Sequence, residues 1–297
     1  MSAIRVNPYP MPDLLAALEN LQQQQSTATL EMGTGSTINK PSDNPAGAAE
    51  LVQIQNATSQ LDSYQQSIGS INSQLSTADS TLSAVATVLQ RAISLGVQGA
   101  NGTLSDTDRS AIATELSGIQ SQLISLANTT YQGQFLFAGT AETQPYVADT
   151  TAPSGVSYKG NSGTNSVTIG NGYQVQVNLP GSQVFNGPGA DVFQAIQDLI
   201  NGLNTNSGIP NAVTEVTNAY NYVTEQRVFY GNAMNQAQSQ QTFLGTENVN
   251  LSQQENTVAG ADMATVASQL SNDETAINAT LSAMGSMPRN SLFDYLH

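Results

Sequence analysis

Apolar residues near the start of the chain recur at steps of three and four. Leu14, Leu18, Leu21, Gln25, Ala28 and Met32 keep this spacing, which predicts a helix with a coiled-coil-type seam. Gly33, Gly35, Pro41 and Pro45 then break the pattern in MGTGSTINKPSDNPAG. Pro45 suits the first turn of a following helix, with Asn44 as its N-cap. From Ala46 to Val97, Leu61, Tyr64, Ile68, Ile71, Leu75, Ala78, Leu82, Val85 and Leu89 hold the same spacing. A helix of that length runs roughly 75 Å, longer than a compact domain is wide, so an elongated molecule is expected. The turn QGANGTLSDTDR (98–109) reverses the chain, with Ser105 or Asp106 as the next N-cap. Ile112, Leu116, Ile119, Leu123 and Leu126 then form the seam of another helix.

The pattern changes at QGQFLFAGT (132–140), which reads as a short strand. Residues 141–190 are nearly uncharged, and eight glycines fall between Gly155 and Gly189. SVTI (166–169) and YQVQVNL (173–179) flank Gly170-Asn171-Gly172, which predicts a hairpin with Tyr173, Val175, Val177 and Leu179 on one face. A helix from Asp191 to Leu203 then places Phe193, Ile196, Ile200 and Leu203 together. The helical seam returns at Val213, Val216, Tyr220, Val223, Arg227, Tyr230, Met234, Ala237, Gln241, Leu244, Asn248, Leu251, Glu255 and Val258. After Gly260 a last amphipathic segment carries Met263, Val266, Leu270, Ile277, Leu281 and Met284.

The expected fold is therefore mainly α with inserted β. The N- and C-terminal segments form an elongated helical bundle or coiled coil, and a small β-rich domain is inserted centrally. The expected divisions are a terminal helix and linker (1–45), a long helical hairpin (46–140), the β-rich insert (141–190), returning helices (191–258) and a second terminal helix (259–297). Leu61, Ile68, Leu75, Leu82, Leu89, Val216, Val223 and Tyr230 are the expected seam within the bundle.

Composition sharpens this picture. Of 297 residues only 10% are charged, against a usual figure of about a quarter. Ser, Thr, Asn and Gln take their place, 117 residues in all, so much of the surface can pack against neighbouring subunits at little desolvation cost. A formal net charge of −15 argues against nucleic acid or an anionic membrane as a partner, because both need clustered Lys and Arg. There is no Cys, hence no disulfide, thiolate nucleophile or Cys-ligated metal. The longest apolar runs are far short of the roughly 20 residues of a spanning helix. The opening MSAIRVNPYPMPDLL has three prolines and lacks the apolar core of a Sec-type signal peptide.

Catalytic parts are missing as well. The single His is His297, so neither a Ser-His-Asp triad nor H-E-x-x-H can be assembled. No phosphate loop, G-x-S-x-G or G-x-G-x-x-G occurs. Asp106 and Asp108 lack the Gly and terminal Glu of an EF-hand loop and read as helix capping. The expectation is a protein that is not an enzyme and has no cofactor or metal.

These motifs and their order resemble the bacterial flagellin-type axial proteins, and within them the branch that forms the hook–filament junction. INKPSDNPAGAAE (38–50) is similar to the family's segment between the outer N-terminal helix and the long inner helix. QGQFLFAGT (132–140) resembles the strand entering the variable insert, and GNAMNQ (231–236) a Gly-x-x-x-Asn step in the returning helix. NSLFDYLH (290–297) resembles the ending of the junction branch rather than that of filament flagellins. The likeness spans residues 26–140 and 213–297. It departs at Pro8, Pro10 and Pro12, where the family has a short β-prone start, and at Gly35-Ser36-Thr37, often basic in relatives.

The resemblance implies export, unfolded, through the flagellar type III apparatus without a cleaved signal peptide, guided by an export chaperone. It implies an extracellular place in the flagellum, as a ring of subunits between the first hook-associated protein and the flagellin filament. Leu14, Leu18, Leu21, Met32, Met263, Val266, Leu270, Ile277, Leu281, Met284, Leu292 and Leu296 are then the expected assembly interface. Their sparse seams make each terminal helix marginal alone, so both are expected to order on assembly. Two alternatives remain: a filament or minor flagellin, and a surface-binding module whose Tyr146, Tyr158, Tyr173 and Phe185 stack a sugar. The bland reading of those four aromatics is the insert's own core.

Overall fold

A computed structural model describes residues 11–286. The chain forms two compact units, one of residues 60–246 and one built from the stretches up to Ser59 and from Glu247 onward. The helices are α1 (Met11–Thr34), α2 (Pro45–Gly99), α3 (Asp106–Ala127), α4 (Gly181–Val184), α5 (Val192–Thr205), α6 (Ile209–Ala259) and α7 (Met263–Ser286).

The larger unit is organised by the seam of α2. Ile68, Leu75, Leu82 and Leu89 are fully buried and share one core with Leu116 and Leu123 of α3 and with Val216, Val223 and Tyr230 of α6. Leu61 lies half-buried at its edge. A stretch of α2 has a mean hydropathy of 1.2, which a membrane span and a soluble core helix share, and here its seam from Ile68 to Leu95 packs into this core. Arg227, a polar seam position of α6, forms a bidentate ion pair with Asp79 of α2 at 2.8 and 3.1 Å. Ser105 caps α3: its hydroxyl accepts from the Asp108 N–H and donates to the Asp108 carboxylate at 2.6 Å. The Arg109 guanidinium is buried at this end of α3, where it pairs with Asp106 and donates to the Leu104 carbonyl.

Four two-stranded antiparallel ribbons lie between α3 and α5. They are β1 (Thr130–Tyr131) with β2 (Gln134–Phe135), β3 (Tyr146–Ala148) with β4 (Val156–Tyr158), β5 (Ser166–Gly170) with β6 (Tyr173–Gln176), and β7 (Asn186–Gly187) with β8 (Ala190–Asp191). The expected strand over 132–140 shrinks to Gln134–Phe135. Gln132 and Gly133 have φ of 50° and 83° and form a tight turn before it, and Gly139 has a φ of 75° beyond it. Leu136, Phe137 and Ala138 still bury their side chains, but from irregular backbone.

β5 and β6 make the predicted hairpin across Asn171-Gly172, with the register slipping between Thr168 and Gly170. Val175, Val177 and Leu179 are buried as the alternation predicts, whereas Tyr173 is 41% exposed. Asp191 caps α5 by accepting from Phe193 and Gln194 N–H at 3.0 and 2.9 Å, and Asn206 closes it in the left-handed conformation. Phe137, Tyr146, Phe185 and Phe193 then meet in an aromatic cluster with ring centroids 4.9–6.1 Å apart.

Candidate assembly surface

The smaller unit is made from both ends of the sequence. Where α1 ends and α7 begins, Ser36 and Gly260 form an antiparallel bridge. The Thr37 N–H donates to the Ala259 carbonyl at 2.7 Å, and the Ala261 N–H donates to the Gly35 carbonyl at 2.9 Å. From this joint α1 and α7 pack side by side, antiparallel, each 24 residues long.

The segment following α1 is folded tightly. The Asp43 carboxylate accepts from the Asn39 and Lys40 N–H groups, and the Asn44 side chain accepts from the Gly47 N–H at 3.0 Å to cap α2. A Cβ on Gly47 would sit 2.7 Å from both the Ile38 Cδ1 and the capping Asn44 amide, so a larger residue would push these two side chains aside.

The seam between α1 and α7 is thin. On α1, Ala28 is buried, and Leu14, Leu18, Leu21, Gln25 and Met32 are half-buried at the spacing read from the sequence. On α7, Val266 is buried while Leu270, Ile277 and Met284 are half-buried. Ordering a residue costs about 1–2 kcal/mol of backbone entropy, and fully burying a Leu-sized side chain returns only about 2 kcal/mol. A helix pair with so few fully buried apolar side chains therefore gains from covering more of its surface.

That further surface is apolar in places. Met263 and Leu281 of α7 point away from the seam and are 46% and 49% exposed. Met11, Leu15 and Leu30 of α1 are exposed too. The expected interface residues thus divide into those lining the α1–α7 seam and those facing outward. Leu292 and Leu296 lie outside the described residues.

One residue of this surface escaped the sequence reading. Asp273 fills the seam position between Leu270 and Ile277 and is only 7% exposed, and its Oδ2 has no hydrogen-bond partner. The signal was a gap of seven residues in an otherwise three-four pattern, where position 273 or 274 had to complete the seam. Both are acidic, and a search for apolar residues passes over them.

The alternative site in the insert is less accessible. Tyr146 and Phe185 have no exposed surface, and the Tyr146 hydroxyl donates to Asn186 at 2.8 Å. Burial pushes the Tyr146 phenol well above the ordinary tyrosine range, with the nearby Tyr158 and Asp191 adding to the shift. Tyr158 is half-buried, which leaves Tyr173 as the one clearly exposed ring of the four. Among the described residues, no three His, Asp or Glu side chains gather to hold a metal ion.

Comparison with known proteins places both ends of the chain. The bacterial flagellin N-terminal helical region matches residues 11–142, and the bacterial flagellin C-terminal helical region matches residues 213–296. Flagellar hook-associated protein 3 of Salmonella typhimurium is 34% identical over 176 residues, covering 58% of this chain and 53% of that protein. The Escherichia coli protein of the same name is 36% identical over 134 residues, covering 44% of this chain and 42% of its own length. The chain thus spans about half the length of the curated relatives it matches. A flagellin of Listeria monocytogenes is 31% identical over 113 residues, covering 38% of this chain and 39% of that protein.

Among solved structures, the flagellar junction protein of Legionella pneumophila superposes with a TM-score of 0.61 at 15% identity, over 71% of this chain and all of that one. FlgL of Bacillus cereus gives 0.59 at 23% identity, over 69% of this chain and 99% of that one. The fold is shared with these structures. With its N-terminal and C-terminal helical regions matched in order on either side of an unmatched insert, the chain belongs to the bacterial flagellin family.

Proposed function

We propose that this chain is a structural subunit of the hook–filament junction of the bacterial flagellum. Copies of it form a ring by helix–helix contacts of α1 and α7, seated on the first hook-associated protein and presenting the opposite face to flagellin. The observation that carries the reading is the thin α1–α7 seam with apolar side chains left on its outside, the surface expected of helices that complete their packing against neighbours. The choice of junction over filament rests on the relatives: the hook-associated proteins align over longer stretches and at higher identity than the flagellin does.

In this reading the interface comprises the seam residues Leu14, Leu18, Leu21, Met32, Val266, Leu270, Ile277 and Met284 together with outward-facing Met263 and Leu281. The α1–α7 pair is formed but only marginally stable in the free chain, opening readily, and it is fixed on assembly. The chain leaves the cell unfolded through the type III apparatus with an export chaperone, and it performs no catalysis.

The deciding experiment is electron microscopy of a strain lacking this gene, with flagellin assayed in the medium. Hooks without filaments and flagellin lost to the medium are expected. Normal filaments would overturn the junction reading. Shortened or altered filaments on intact hooks would favour a filament or minor flagellin instead.

A further inference from the structure

The sequence contains four Asn-Gly pairs, at Asn101, Asn171, Asn186 and Asn201. An Asn followed by Gly is chemically fragile because the next backbone nitrogen is unshielded by a Cβ and can attack the side-chain amide. The structure separates the four sharply. Asn201 lies inside α5, where the Gly202 N–H is committed to the helix and the Asn201 carbonyl accepts from Gln197. Asn186 is held at both ends, donating to Asp191 at 2.7 Å and accepting from the Tyr146 hydroxyl, and Gly187 is buried. Asn171 sits in the exposed β5–β6 turn, and no hydrogen bond holds its side chain.

Asn101 combines three features that the others lack together. Asn101, Gly102 and Thr103 are all exposed in the bend between α2 and α3. A Cβ on Gly102 would meet nothing within 4 Å, and the Gly102 N–H donates no hydrogen bond, so the nucleophile is open and free. The Asn101 Oδ1 accepts from the Thr103 N–H at 3.1 Å and from the Thr103 hydroxyl at 2.9 Å. Two donors on one amide oxygen polarise the carbonyl and stabilise the negative charge that develops there on attack, as an oxyanion hole does. The bend is itself pinned, with the Asn101 N–H donating to Gln98 and its carbonyl accepting from Leu104, which fixes the backbone on either side of the reacting peptide.

We propose that Asn101 is a self-modification site, converting to aspartate and isoaspartate through a succinimide with Thr103 as the positioning residue. Hydroxide removes the Gly102 amide proton, and the nitrogen attacks Asn101 Cγ, forming the C–N bond and placing charge on Oδ1. Collapse breaks the bond from Cγ to the side-chain nitrogen, and ammonia leaves after taking a proton from water. Water then opens the ring at either carbonyl. The balance is Asn plus water to an acid plus ammonia, with no oxidation or reduction. The product adds a negative charge to the bend that leads into the acidic first turn of α3, with its Asp106 and Asp108. In its iso form it also inserts a methylene into the backbone where α2 hands over to α3.

The test is incubation of the full-length protein in mildly alkaline buffer, followed by peptide mapping and isoaspartyl methylation. Asn101 is expected to convert fastest of the four. Thr103→Ala, at an exposed position, removes one donor and should slow conversion about three- to tenfold. Gly102→Ala should nearly abolish it. Asn171 in the same samples is the internal control for folding and pH. Conversion of Asn171 as fast as Asn101, or an unchanged or faster rate at Asn101 in Thr103→Ala, would overturn the proposal.

Discussion

Asp273→Leu should tighten the α1–α7 pair. The wild-type carboxylate sits in the seam with one oxygen unpartnered, and a buried unsatisfied acceptor costs about 1–3 kcal/mol. A Leu there would also bridge Leu270 and Ile277 into a continuous apolar stripe, worth about 1.5–3 kcal/mol if fully buried. The flanking residues are only half-buried, so a discounted total of about 2 kcal/mol is the safer figure. It corresponds to roughly a thirtyfold shift in the opening equilibrium of the pair.

Amide hydrogen exchange of the free chain reads this directly, because local opening controls exchange in α1 and α7. Exchange in both helices should slow by about that factor, with Asp273→Asn falling between wild type and Leu. Peptides from α3 and α5 should not change. Unaltered or faster exchange in α7 would refute the argument, since it would mean that the carboxylate is not buried between the helices in solution.

Other outcomes follow from the same geometry. Leu281→Asp places a charge on an exposed position, so the isolated chain should keep its stability and secretion while ring formation is lost. A drop in secreted protein would place the fault outside assembly. Phe193→Ala removes a buried ring that packs on Tyr146 and Phe185 and should cost about 3–5 kcal/mol in denaturant unfolding. A cost under about 1 kcal/mol would contradict the packing described. Arg227→Ala removes a bidentate pair whose groups are about a third exposed, so only about 1 kcal/mol, or roughly 2–4 °C in Tm, is expected after allowing for screening. An equal loss in Asp79→Ala, with no further loss in the double variant, would confirm the pairing. The Thr151 and Ser157 hydroxyls and the Thr151 N–H hold the Asp149 carboxyl down to about 2. Its stabilising effect is present above the ordinary Asp range and is lost as pH falls through about 2, which an NMR titration should show as a low midpoint rising in Ser157→Ala.

Much of this architecture was legible because helices announce themselves by period and punctuation. Asn44 and Pro45, Ser105 and Asp191 mark helix starts by capping chemistry, and the structure begins α2, α3 and α5 there. The hairpin at Asn171-Gly172 was legible for the same reason. The apolar run 134–138 misled, because burial alone does not distinguish a strand from an irregular segment pinned by left-handed glycines. The division at residues 59 and 247 was not read from the sequence, although the α2 seam starts at Leu61, because α2 runs through Ser59 as one helix and the α6 spacing crosses residue 247 without a break. Asp79 stayed hidden because it lies off the α2 seam, although its partner Arg227 sits on the seam of α6. Asp273 was missed because a polar residue in a weak seam looks like a solvent-facing one until the partner helix is in place.

The joint between Thr37 and Ala259 has a consequence for the order of folding. The two residues lie 222 positions apart in sequence and yet share a backbone hydrogen bond. With the intervening chain unfolded, closing such a loop costs about 5 kcal/mol of chain entropy, more than the bonds at the joint return. With residues 60–246 folded, most of that entropy has already been lost, and only short flanking stretches have to find each other. The middle of the sequence is therefore expected to fold first and the two ends last. On unfolding the ends should release first, so in the proposed role the segments offered to an export channel or a neighbouring subunit are those the chain gives up at least cost.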